Sequence, residues 1–119
     1  MKDGFHQVPI RPSDHHYTCM STPLGTFQWK VLVMGLKNGS SIFQRMMNHV
    51  LREHRCADPY IDDVIIGSSG ATEDELLQNH ERDVREVLET LAKKLIVSPD
   101  NAQLFMREVE FCGHILRAG

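Results

Sequence analysis

The apolar positions of this chain change period several times, and each change predicts an element. In HHYTCMSTPLGTFQWKVLVMG, the stretches Tyr17–Ser21 and Thr26–Val33 are rich in β-branched and aromatic residues. The turn signal Pro23-Leu24-Gly25 between them predicts a β-hairpin, with Trp29 as a packing residue on its second strand. In NGSSIFQRMMNHVLREH the apolar residues Ile42, Phe43, Met46, Met47, Val50 and Leu51 recur on one face at helical spacing. Ser40 or Ser41 is the expected N-cap, and the methionines read as core packing. PYIDDVIIGSS, residues 59–69, then predicts two short strands joined at Asp62 and Asp63. Pro59 cannot donate to a ladder, so its strand should begin at Tyr60 or lie at an edge.

Gly67-Ser68-Ser69-Gly70 breaks the pattern, and the capping box Thr72-Glu73-Asp74-Glu75 opens a long amphipathic helix over 73–93. Leu77, Val84, Leu88 and Leu91 form the expected buried stripe, with Glu81, Arg82, Arg85 and Glu89 facing water. Lys93 and Lys94 suit the dipole at its C-terminal end. LIVS and then EVEFCGHIL predict strands around the turn Ser98-Pro99-Asp100-Asn101. The order hairpin, helix, hairpin, helix, strand implies an α+β fold with helices on one face of an antiparallel sheet.

At 119 residues the chain is long enough for one domain with one core. Its longest apolar runs are too short to cross a bilayer, so no membrane association is expected. The opening MKDGFHQ has no apolar h-region and predicts no secretory signal. Cys19, Cys56 and Cys112 stand far apart and predict free thiols in a reducing compartment. The net charge of −3 is unusual for a stand-alone nucleic-acid binder. Contact with nucleic acid would therefore need phosphate-binding charge from other segments. His49 and His54 with Cys56, or His15 and His16 with Cys19, lack the paired spacing of a zinc site and read as surface or turn histidines. Arg45, Arg52 and Arg55 read as a solvated helix face. No serine or cysteine has the sequence neighbours of a nucleophilic triad.

The Asp62–Asp63 pair carries the chemistry. Two like charges a few ångströms apart repel by about 1 kcal/mol in water and by several at an effective dielectric near 20. Such a pair is either a solvated turn, where Asp is favoured, or the seat of a cation. In a regular strand the two carboxylates would point to opposite faces. At a tight hairpin tip both can approach one side and suit Mg²⁺, which takes one or two carboxylates plus substrate phosphates.

GFHQVPI, TPLGTFQWKVL, GLKNGSSIFQRMMN, YIDDVIIGS and VEFCGHI occur in that order with short spacers. Together they resemble the palm of the reverse transcriptase in gypsy-type LTR retrotransposons, over essentially all of residues 1–119. The resemblance implies a ferredoxin-like βαββαβ antiparallel sheet with helices on one face. It also implies RNA-directed DNA polymerase chemistry by two-metal nucleotidyl transfer, with two Mg²⁺ (or Mn²⁺) ions. Asp62 and Asp63 would be the catalytic, metal-binding pair. Asp3 and Gly4 would offer backbone N–H groups to the triphosphate, Phe5 would lie under the sugar and exclude a 2′-hydroxyl, and Gln44 would lie against the nucleotide. Phe111, Cys112, Gly113 and His114 would position the primer end. The implied partners are an RNA or DNA template with its primer, deoxynucleoside triphosphates and the remainder of a Pol polyprotein. The implied setting is intracellular, in cytoplasm or a virus-like particle.

The family carries a further aspartate five residues before the aromatic gate, a position that falls just before Met1. Asp3, two residues before Phe5, does not match that spacing. The first part of the fingers, the thumb, the connection and the ribonuclease H domain are not in the matching stretch. The expectation is that this chain alone does not polymerise efficiently. The alternative function is a catalytically dead retroelement remnant, at most a weak nucleic-acid or protein-binding module. A nucleotide cyclase, which shares a related palm, is disfavoured because the central hairpin lacks the glycine-rich signature.

Overall fold

In a computed structural model, residues 1–118 are described. Strands β1 (Met20–Thr22) and β2 (Gly25–Phe27) come first, followed by helix α1 (Gly39–Val50). Strands β3 (Ala57–Tyr60) and β4 (Asp63–Ile66), helix α2 (Glu73–Ala92), and strands β5 (Glu108–Phe111) and β6 (His114–Arg117) complete the order. Short 3₁₀ turns occupy Gly4–Gln7, Pro12–Thr18 and Pro99–Asn101. The molecule is elongated, 62 × 27 × 22 Å.

Phe43 and Met47 of α1 are fully buried in the core. The same cluster holds Phe5, Leu32, Leu51, Ala57, Leu95, and Val87 and Leu91 of α2. The ring of Phe5 stacks on that of Phe43, 5.0 Å between centroids and 17° from parallel. The residue that faces the site is therefore packed on the centre of the core.

α2 starts where its capping box predicts. The Thr72 hydroxyl accepts from the Glu75 N–H at 3.2 Å, and the Glu75 carboxylate accepts from the Ala71 N–H at 3.1 Å. Glu81 and Arg85 pair across one turn at 2.9 Å on the exposed face. The buried stripe differs from expectation: it is Val84, Val87 and Leu91, while Leu77 and Leu88 are exposed. Both stripes satisfy the helical period, and the partner surface selects between them. α1 also differs at its start. Asn38 is the N-cap and makes no side-chain capping bond, and Ser40 and Ser41 lie within the first turn.

The single βαββαβ sheet is not formed among the described residues. The strands make three separate antiparallel ribbons, β1–β2, β3–β4 and β5–β6. Among the described residues no further strand pairs with β3–β4. The expected long first hairpin is short, because Pro12–Thr18 turns and residues 30–32 leave to pair with the N-terminal segment. There the Leu32 N–H donates to Val8 and the Ile10 N–H to Lys30, both at 2.8 Å. Trp29 leaves the ribbon as well and stacks on His6, 5.9 Å between centroids. The LIVS stretch is not a strand; Leu95 enters the core, and the Ile96 N–H donates to the Gln7 side chain at 2.7 Å. The strands expected in EVEFCGHIL pair with each other as β5–β6.

Candidate active site

The β3–β4 ribbon places the aspartates. Its register pairs Tyr60 with Asp63, so Ile61 and Asp62 form a two-residue turn. Asp62 is half-buried in that turn, and Asp63 is exposed as the first residue of β4. The turn is held against the N-terminal segment, where the Met1 nitrogen donates to the Asp62 carbonyl oxygen at 3.0 Å. Pro59 sits inside β3, which among the described residues has only one neighbour, so its missing N–H faces no ladder.

Asp62 is the residue that meets Phe5. The two line a cavity of about 260 Å³ together with Met34, Gly35, Leu36, Ser40 and Ile61. The Asp62 Oδ1 atom is buried and has no hydrogen-bond partner. It lies directly over Gly4, where an added Cβ would overlap it and come within 3.0 Å of Phe43 Cζ. Gly4 is thus the space that admits the carboxylate. Asp3 precedes it in a left-handed conformation, φ 46°. Among the described residues no three His, Cys, Asp or Glu side chains gather into a metal cluster. Asp62 lines the cavity and Asp63, exposed at the start of β4, does not; a hard cation takes one or two protein carboxylates and its other oxygens from substrate and water.

Gln44 projects from α1 onto the hairpin rather than into the cavity. Its Oε1 accepts from the Ile61 N–H at 2.6 Å, and its Nε2 donates to the Pro59 carbonyl at 2.7 Å and to Asn48 Oδ1 at 2.9 Å. Phe111, Cys112, Gly113 and His114 form the turn of β5–β6. Cys112 and Gly113 both have positive φ, 53° and 76°, as a type I′ hairpin turn requires. The ring of Phe111 meets that of Tyr60 edge to face at 6.5 Å, so the two hairpin tips touch.

One constellation was invisible in sequence. Ser68 donates to the Asp83 carboxylate at 2.7 Å and lies 3.2 Å from His80 Nδ1. The Ser68 bond, helped by the Arg82 guanidinium, outweighs burial and holds the Asp83 carboxyl below its ordinary range. The serine sits between the other two groups and gives its proton to the carboxylate, so it is a latch from the linker to α2, not a nucleophile. Burial, with the nearby Asp83 charge, pushes the Cys56 thiol up. All three cysteines are free.

Residues 1–116 match the family of reverse transcriptases, RNA-dependent DNA polymerases. The chain belongs to that family. Among its relatives, the retrovirus-related Pol polyprotein of the transposon opus, from Drosophila melanogaster, is 37% identical over 99% of this chain and 12% of the relative. The gypsy polyprotein of the same organism is 34% identical over 98% of the chain and 11% of its own length. The enzymatic polyprotein of Soybean chlorotic mottle virus is 35% identical over 94% of the chain and 16% of its own length. The chain therefore spans less than a fifth of the curated relatives it matches. Among solved structures, a foamy viral protease–reverse transcriptase in complex with an RNA/DNA hybrid superposes with a TM-score of 0.83. It is 21% identical over 98% of this chain and 15% of that one, a likeness of fold. No helix among the described residues is long and apolar enough to cross a membrane.

Proposed function

We propose that residues 1–119 are the palm portion of an RNA-directed DNA polymerase that works within a longer Pol polyprotein. The observation that carries this reading is the Asp62 carboxylate, whose Oδ1 is buried without a partner beside Phe5. A desolvated carboxylate oxygen with no donor is costly, and a cation is the group that offsets it. Asp62 is the direct ligand and the exposed Asp63 the second carboxylate of the pair. Bound Mg²⁺ or Mn²⁺ ions, two in the intact enzyme, would polarise the phosphoryl group and lower the pKa of the attacking hydroxyl.

The chain's own residues do the positioning. Phe5, fixed by its stack on Phe43, is the rigid wall under the incoming sugar and selects deoxynucleotides by excluding a 2′-hydroxyl. The backbone at Asp3 and Gly4 faces the triphosphate, and the Phe111–His114 turn, braced on Tyr60, holds the primer end. Template, primer and deoxynucleoside triphosphates are the partners. The three ribbons are pieces of the palm sheet, which neighbouring parts of the polyprotein complete. Exposed apolar residues such as Leu88, Ile96, Leu104 and Phe105 are the surface those parts would cover. Free thiols suit an intracellular setting, in cytoplasm or a virus-like particle.

Primer extension with Mg²⁺ or Mn²⁺ tests the proposal. The polyprotein should extend a primed template and lose extension by several powers of ten on Asp62→Asn. The isolated chain, which offers two carboxylates, should extend poorly. Undiminished extension by the Asp62→Asn polyprotein would refute the assignment.

A further inference from the structure

The turn that carries Asp62 has the wrong residue for its shape. Ile61 has φ 52°, in the left-handed region that β-branched side chains avoid. Two-residue hairpin turns place Gly, Asn or Asp at such positions. Strain of this kind costs about 1–3 kcal/mol and persists only where the surroundings over-determine it. The surroundings here are the packing of Ile61 against the core, the Met1 nitrogen on the Asp62 carbonyl oxygen, and one side chain that grips the backbone on both sides of the strain. The Gln44 Oε1 holds the strained residue's own N–H, while its Nε2 holds the Pro59 carbonyl two residues earlier. The amide's orientation follows from its partners, because a backbone N–H can only donate and a carbonyl can only accept. Asn48, one helical turn along α1, fixes the second Nε2 hydrogen. Next to Gln44, the buried Phe43 holds Phe5 from beneath. Neighbouring residues of one helix thus set the aromatic wall and the acidic tip.

We propose that Gln44 is a positioning residue that acts through Ile61. It clamps the β3–β4 tip in its strained form and so aims the Asp62 carboxylate over Gly4, and it does not contact the nucleotide. The proposal rests on the metal role of Asp62 given above and replaces the nucleotide contact expected for Gln44. Both hydrogens of its Nε2 and one lone pair of its Oε1 are already committed to protein, and its side chain does not line the cavity.

The test compares Gln44→Met, Gln44→Glu, Gln44→Met/Ile61→Gly and Asp62→Asn in the full chain. Hydrogen exchange of the residue 61 amide, Mn²⁺ affinity by calorimetry and unfolding by circular dichroism are read together. Gln44→Met keeps the side-chain length and removes the clamp. It should speed exchange of the Ile61 amide at least tenfold and weaken Mn²⁺ about tenfold. Gln44→Glu keeps an acceptor for that amide and should retain its protection, which preserves a reading should the methionine variant fail to fold. Glycine at 61 adopts the turn without strain, so the double variant should regain most of the Mn²⁺ affinity; a merely structural role for Gln44 predicts no such rescue. Unchanged Ile61 exchange in Gln44→Met, or weaker binding of Mn²⁺·dATP alone, would overturn the proposal. Unchanged Mn²⁺ affinity in Asp62→Asn would instead overturn the metal assignment, and the Ile61 amide would still decide for or against the clamp.

Discussion

Gly4→Ala is the smallest change aimed at the site. Gly4 is buried, and its backbone is not in a glycine-only region, so alanine can adopt the local conformation. In open space such a replacement stabilises by about 0.4–1 kcal/mol through the unfolded chain. Here the new methyl overlaps Asp62 Oδ1 and comes to 3.0 Å from Phe43 Cζ and 3.1 Å from Met1 Cβ. The Phe43 ring is fully buried and cannot withdraw, so the carboxylate must. Overpacking of this kind costs about 1–3 kcal/mol, which outweighs the backbone gain. The expected result is a net loss of about 1–2 kcal/mol in urea unfolding, with Mn²⁺ affinity reduced because Asp62 has been turned out of its place. A double-mutant cycle separates the contributions. In an Asp62→Ala background the same methyl meets only Phe43 and Met1, so its cost should fall by at least about 0.5 kcal/mol. If Gly4→Ala unfolds at the parent urea midpoint and binds Mn²⁺ as tightly as the parent, the contact between Gly4 and the carboxylate is wrong.

Three further outcomes are expected. Phe43→Ala removes a fully buried ring that Phe5 stacks on, and should cost about 3–5 kcal/mol by urea unfolding. Ser68→Ala should cost on the order of 1 kcal/mol near pH 6, since the bond to Asp83 is partly exposed. Because Asp83 has a lowered carboxyl pKa in the folded state, its contribution is present above the unfolded value of about 3.9 and is lost as pH falls through the folded one. Parent and variant unfolding midpoints should therefore converge as the pH is taken below the ordinary carboxylate range, and a constant difference across the range would contradict the latch. With iodoacetamide at pH 8, exposed Cys19 and Cys112 should alkylate before Cys56, whose thiol is pushed up by burial; mass mapping of the first sites modified reads this.

Part of what the chain announces locally, it keeps. The capping box at Thr72–Glu75 starts α2 because its donors and acceptors lie within four residues of each other. The apolar period of α1 and the turn residues of the hairpins act over similarly short spans, and Asp62 at a hairpin tip was readable for that reason. The family's ordered motifs add roles that no local rule supplies.

Long-range packing decided the remainder. Which apolar face of α2 is buried depended on α1 and Phe5, so Val87 went inside and Leu77 stayed out. LIVS has strand-like residues, yet it gave its hydrogen bonds to Gln7, 89 positions away. Ser68, His80 and Asp83 met only when the linker folded onto α2. Gln44 reached Ile61 across 17 positions, and that bond set the tip's conformation. Period and capping are properties of neighbouring residues and survive in the unfolded chain as preferences. Burial, strain and the aim of a carboxylate depend on groups distant in sequence, and they exist only once the core around Phe43 and Met47 has closed.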